Sequence, residues 1–163
     1  MAILVRQARP EDLVLADRLA CRAYAEYERA FPEWIPHLAR GVPMTELARE
    51  AQVLVAEIDG AIAGAVGYVA PHRPKHAAFP AEWAALRFMA VDPDHRRKGV
   101  ARALAEECVR LAKRDGAAVL GLFTSPAMTT AFALYLRMGF VRERSIAPVM
   151  GMPAEVLAYR IAG

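Results

Sequence analysis

The chain has 163 residues, 24% of them charged, and a formal net charge of +3. That length suits one domain with one sizeable core, and the composition excludes an intrinsically disordered polymer. A nucleic-acid binder spreads its basic excess over an extended face. Here the excess gathers in one short run of His95, Arg96, Arg97, Lys98 and Arg102, which suits a compact anion better than a long polyanion.

Ile3 to Arg6 reads as a first strand, and the segment from Met1 to Val5 is too short for a signal peptide before Arg6 and Arg9 break it. Pro10, Glu11 and Asp12 open a helix with proline and acids in its first turn. Leu13, Ala16, Leu19 and Ala20 carry it at helical spacing to about Tyr27. Phe31-Pro32 and Ile35-Pro36 interrupt, and a weaker helix is expected around Thr45 to Ala51. Gln52 to Ile58 and Ala61 to Val69 read as strands joined by the hairpin turn Asp59-Gly60. Gly64 and Gly67 inside the second predict a bulge or a close backbone approach. A polar loop from Pro71 to Pro80 precedes a central strand, Trp83 to Val91. Arg102 to Arg114 is a helix with an apolar stripe of Leu104, Cys108 and Leu111, closed by Lys113, Arg114 and Gly116. Val119 to Thr124 is a strand, Ala127 to Met138 a helix stopped by Gly139, and Phe140 to Ile146 and Val156 to Ile161 are the last strands. The order describes a single domain over residues 1–163, a mixed α/β or α+β sandwich with helices covering a sheet.

Gly116 to Leu136 carries no charge and is long enough to span a bilayer, but Thr124-Ser125-Pro126, Thr129 and Thr130 break it into strand, turn and helix. No membrane association is expected. Cys21 and Cys108 match no metal-ligand spacing, so no metal is expected and a reduced, cytoplasmic setting is the simple reading.

The run from Val91 through Asp92, Pro93, Asp94 and His95 to Arg96-Arg97-Lys98-Gly99-Val100-Ala101 leaves a strand and enters a helix. Diphosphate binding needs converging backbone N–H groups, a helix N-terminus and small residues that permit close approach. Residues 97–102 supply the amides, Gly99 and Ala101 the small positions, and Arg96, Arg97, Lys98 and Arg102 the charge. Basic residues at a helix start oppose the macrodipole, which favours an anion site over a solvated helix end.

Val91-x-Pro93-x-x-Arg96-x-x-Gly99-x-Ala101 resembles the acyl-CoA signature of the GCN5-related N-acetyltransferase (GNAT) superfamily. About forty residues on, Ala131-x-x-Leu134-Tyr135-x-x-x-Gly139-Phe140 resembles that family's second motif. The resemblance implies a GNAT acyl-CoA N-acyltransferase fold. Its mixed sheet would have about six to seven strands, split by a bulge after the central strand, with about four flanking helices. It implies acetyl-CoA as the cofactor and direct transfer of the acetyl group to an amine of a small molecule or peptide, by a monomer or homodimer. Met89, Ala90 and Val91 would offer main-chain N–H groups to the acyl arm, together with Met128 and Tyr135, while Arg96, Arg97, Lys98, Gly99, Val100, Ala101 and Arg102 would hold the diphosphate. Tyr135 matches the family's general acid.

The chain departs from the family where a base is expected. Ala85 and Phe123 stand at positions where many relatives carry Glu, and Met128 replaces a common Asn. Glu82, His72, His76 or a bound water remain as bases. Tyr24, Tyr27, Phe31, Trp34, Phe79 and Trp83 would border the acceptor pocket, with Glu26, Glu28 and Glu33 nearby; core packing is the alternative for Trp34 and Trp83. A non-catalytic acyl-CoA sensor on the same fold is the alternative function, and nucleic-acid binding through the basic turn a third.

Overall fold

The computed structural model describes residues 2–162; Met1 and Gly163, the ends of the expected domain, lie outside the described residues. Among the described residues the order begins with β1 (Ile3–Gln7), α1 (Asp12–Tyr24), α2 (Trp34–Ala39), α3 (Pro43–Leu47), β2 (Gln52–Ile58) and β3 (Ala61–Val69). It continues with β4 (Ala84–Val91), α4 (Val100–Arg114), β5 (Val119–Thr124), α5 (Thr129–Met138), β6 (Val141–Val149) and β7 (Met152–Arg160). The strands form one seven-stranded sheet, ordered β1-β2-β3-β4-β5-β7-β6. Every pairing is antiparallel except β4 with β5.

Side chains alternate across the sheet and build a core on each face. Leu54, Ala56, Val66, Tyr68 and Leu86 pack against Leu104, Cys108 and Leu111 of α4, with Tyr135 of α5 in the same cluster. Val53, Val55, Ala65 and Ala90 pack on the other face against Ala16, Leu19 and Ala20 of α1, Trp34 of α2, and Met44 and Leu47 of α3. The uncharged stretch divides into β5 and α5 around Ser125-Pro126, and no helix of the described residues is long and apolar enough to cross a membrane.

Several boundaries differ from the sequence reading. The chain does not simply break at Ile35-Pro36: α2 runs through Pro36, which falls in its first turn, where a missing N–H deprives no intrahelical bond. The weak helix starts and ends earlier than expected, with Pro43 at its first position. Its start is held by a side chain from α1: the buried Asp17 carboxylate accepts the N–H groups of Met44 (2.7 Å) and Thr45 (2.9 Å) and the Thr45 hydroxyl (2.5 Å). α4 begins at Val100, with Gly99 before it at φ 84°. At the C-terminal end, β6 and β7 form a longer hairpin than expected, turning at Met150-Gly151, both at positive φ.

Both interior glycines of β3 allow a helix to close on the sheet. A Cβ at Gly64 would lie 2.6 Å from Val100 Cγ1, and one at Gly67 would lie 2.6 Å from Leu47 Cδ2. The register beside them also slips. Gly67 faces Arg87 and Ala65 faces Ala90, so Phe88 and Met89 together stand opposite Val66. Phe88 takes φ 56° in this bulge. A bulge bends and twists its strand, and beyond it β4 no longer follows β5: their pairing is confined to Ala84 with Leu120 and Ala85 with Gly121.

Candidate active site

Where β4 and β5 part, a cleft of about 430 Å³ opens. Leu86 to Met89 form one wall and Leu122 to Ser125 the other, while Met128, Ala131 and Tyr135 of the α5 region close one end. Tyr24, Trp34, Glu46, Leu47 and Glu50 border the other side, with Met150 and Met152 from the β6–β7 turn. The volume is in the range of small-molecule sites.

Tyr135 is 3% exposed, with its ring edge-on to Phe140. Its hydroxyl has no hydrogen-bond partner among the described residues, and the residue belongs to the cleft lining. Burial, then the thiol of Cys108, pushes its pKa above the ordinary tyrosine range, so it is an O–H donor at neutral pH. Tyr24, by contrast, donates its hydroxyl to the Met89 carbonyl at 2.5 Å and packs its ring against Phe88, 4.7 Å between centroids. It thereby pins the bulge. Burial first, then the Tyr135 phenol, raises the Tyr24 pKa.

The basic turn lies beyond the end of β4. Asp92 accepts the N–H of Asp94 at 3.0 Å and starts a 3₁₀ turn at Pro93–His95. Arg97 at φ 63° and Gly99 at φ 84° then turn the backbone into α4. Among the described residues no backbone carbonyl accepts the N–H groups of 97–102, and no side chain caps α4. Left-handed residues before an uncapped helix start make a nest of amides that fits a diphosphate. Arg96 pairs with Glu26 at 2.7 Å, and Arg22 with Asp92 and Asp94, so α1 is tied to the turn. Arg97 and Lys98 are exposed and have no ion pair among the described residues. Arg102 reaches Glu106 and borders a second cavity beside α4.

The residues singled out from sequence thus fall in two connected places. Met89, Met128, Tyr135, Tyr24 and Trp34 line the cleft, and Arg96 to Arg102 form the turn, with Ala90 and Val91 on the strand between them. Val100 is buried against Gly64. Tyr27 and Trp83 are not among the cleft-lining residues; Trp83 packs over Gly121, where a Cβ would meet its ring at 2.6 Å. Glu82 and His72 are exposed and also outside the lining. His76 is in it, but its Nδ1 accepts the N–H of Ala78 at 3.0 Å. In the neutral ring Nε2 therefore carries the proton and donates rather than accepts. Ala85 is wholly buried, and Phe123 forms cleft wall.

The sequence reading missed Phe88, Glu46, Glu50, Arg87 and the Met150–Met152 turn. Pro43 as a first helical residue was the available signal for α3; nothing in the sequence marked the others. Glu46 is held by Arg40 at 2.8 Å, and Glu50 by Arg87 at 3.0 Å.

A sheet split at a bulged central strand, with an amide nest at the following helix, defines the acyl-CoA N-acyltransferase class of fold. The family model described as "Acetyltransferase (GNAT) family" matches residues 17–140, and the chain belongs to that family. No curated protein matches the sequence as a relative. Among solved structures, the ribosomal-protein-S18-alanine N-acetyltransferase from Escherichia coli is 22% identical, with TM-score 0.70 over 99% of this chain and 96% of that one. The PaiA N-acetyltransferase from Thermoplasma acidophilum, in complex with coenzyme A, is 19% identical, with TM-score 0.75 over 98% and 99%. The yncA structure from Salmonella typhimurium, with its cofactor acetyl-CoA, is 18% identical, with TM-score 0.69 over 100% and 96%.

Proposed function

We propose that this chain is a single-domain, cytoplasmic, acetyl-CoA-dependent N-acetyltransferase that moves an acetyl group directly to the amine of a small molecule or peptide. The parting of β4 from β5 beside the Tyr135 hydroxyl, which has no hydrogen-bond partner among the described residues, carries this reading. Acetyl-CoA supplies a thioester-activated acetyl group. The amides of 97–102 and the charges of Arg97 and Lys98 hold the diphosphate. The β4 edge from Leu86 to Val91 lacks a β5 partner, so those of its main-chain N–H groups that do not face β3 would hold the arm and the acyl carbonyl between the strands. Met128 and Ala131 pack against the arm, and Tyr135 gives its proton to the departing sulfur. No carboxylate stands at Ala85 or Phe123, and each acid in the lining is already held by an arginine. We therefore assign the ammonium proton to water entering at that rim.

The missing carboxylates also favour a second reading, a non-catalytic acyl-CoA sensor on the same frame. Thiol release from acetyl-CoA in the presence of a mixed amine panel separates the two. Transfer requires amine-dependent thiol and an N-acetyl product. A sensor gives neither, while acetyl-CoA still raises Tm, because a ligand bound by the folded state alone stabilises it.

A further inference from the structure

We infer that the acceptor is a small primary amine bearing one bulky apolar, preferably aromatic, body and no second charge; this rests on the acyltransfer reading above. The acceptor side of the cleft is walled by rings. Tyr24 stacks on Trp34 with centroids 4.9 Å apart and planes 20° from parallel, and Phe88 stands edge-on to Trp34 at 6.2 Å. The polar atoms of these rings point at the protein. Tyr24 donates to the Met89 carbonyl, and Trp34 Nε1 donates to Met152 Sδ at 3.0 Å. What remains toward the cleft is aromatic carbon, with the adaptable thioethers of Met150 and Met152 beside it.

The charges at the rim argue against a polycation or a zwitterion. Among the described residues the carboxylates in the lining are Glu46 and Glu50, and the one guanidinium is Arg87. Glu46 faces Arg40, and Glu50 faces Arg87. A polyamine or aminoglycoside needs several uncommitted carboxylates, and an amino acid needs an uncommitted cation for its carboxylate. Neither is offered. A single ammonium, lost as a proton before attack, needs neither.

The size argues against a protein segment. Tyr135, Met128 and Ala131 occupy one end of the 430 Å³ cleft, so the acyl arm takes part of it. At the other end α2 and the β6–β7 turn touch. Trp34 meets Met152, and the Glu33 side chain lies against Gly151, where an added Cβ would sit 3.4 Å from Oε1. We take this bridge as what limits the length of acceptor the cleft can hold.

In the reaction the ammonium first gives one proton to water; the amine nitrogen then bonds to the acyl carbon as the carbon–sulfur bond breaks, the sulfur takes the Tyr135 proton and becomes the free thiol, and the second proton lost by the nitrogen returns through water to the Tyr135 oxygen.

The test is thiol release with 2-phenylethylamine, spermidine, phenylalanine and an alanine-terminated peptide, each with acetyl-CoA. The expected result is a kcat/KM for 2-phenylethylamine at least ten-fold above the other three. Trp34→Ala should raise the amine KM several-fold, with the acetyl-CoA KM and the acetyl-CoA-induced Tm rise retained. Equal or better turnover of spermidine, phenylalanine or the peptide overturns the acceptor assignment and leaves acyltransfer standing. No thiol release with any amine, in a protein that acetyl-CoA still stabilises, overturns the transferase reading and this inference with it. An unchanged amine KM in Trp34→Ala, still folded by Tm, removes the ring wall from acceptor binding and also overturns it.

Discussion

Replacing Tyr135 by Phe removes one oxygen and leaves the ring in place. Among the described residues the hydroxyl has no hydrogen-bond partner, so its loss leaves no donor or acceptor stranded there. The stability change should stay within about 1 kcal/mol, or roughly 2–4 °C of Tm for a chain of this size. Turnover is where the change should appear. A positioned proton donor contributes about 10²–10⁴-fold, and a thiolate is a competent leaving group, so the low end applies. A hundred-fold loss of kcat is about 2.7 kcal/mol of barrier. Because burial holds the phenol above its ordinary pKa of roughly 10, it stays protonated from pH 6 to 9, and the deficit should be a constant offset across that range. Continuous thiol detection on both proteins across that range reads it directly. A Tyr135→Phe variant that matched the wild type at every pH would refute the proton-donor role.

Asp17→Ala removes three hydrogen bonds to a buried carboxylate and uncaps α3, and should cost about 2–3 kcal/mol by denaturant unfolding. Gly64→Ala drives a methyl into Val100 and Leu104 and should lower stability by about 1–3 kcal/mol, with a raised acetyl-CoA KM because Val100 begins α4. In the diphosphate turn, Arg97→Ala and Lys98→Ala should each weaken coenzyme A more than Arg96→Ala, whose charge already faces Glu26; equal effects in a calorimetric titration would contradict the turn's charge assignment. The Arg6 guanidinium, with the Arg9 N–H, holds the Asp12 carboxyl down from 3.8 to about 2. A depressed folded pKa stabilises above the unfolded value and is lost as pH falls, so stability should drop between about pH 4 and 2, less steeply in Asp12→Asn.

The sequence made the regular parts of this fold legible because their signals are local. Asp59-Gly60 took the expected turn with φ of 51° and 82°, and Leu104, Cys108 and Leu111 were all buried. The basic turn was legible because glycine, small residues and charge sit consecutively. The cleft was not. Its aperture depends on an extra residue in β4, and Phe88 at positive φ carries no sequence mark of that strain; Gly64 and Gly67 on the neighbouring strand gave the nearest hint. Nothing in the sequence marks Asp17, yet it caps another helix 27 positions away. Such long-range satisfaction of backbone donors is invisible to periodicity, so α3 and its Glu46 were misjudged together. His76, a candidate base from the sequence, lines the cleft, and the Ala78 N–H donates to its Nδ1, an interaction no sequence pattern reveals.

The central claim is that coenzyme A lies along the turn into α4 with its arm between β4 and β5. A crystal structure of the protein with acetyl-CoA tests it most directly. The diphosphate should accept main-chain N–H groups of residues 97–102 at roughly 3 Å, with the sulfur beside the Tyr135 hydroxyl. Coenzyme A bound elsewhere, or an arm that leaves the β4–β5 cleft empty, would contradict it.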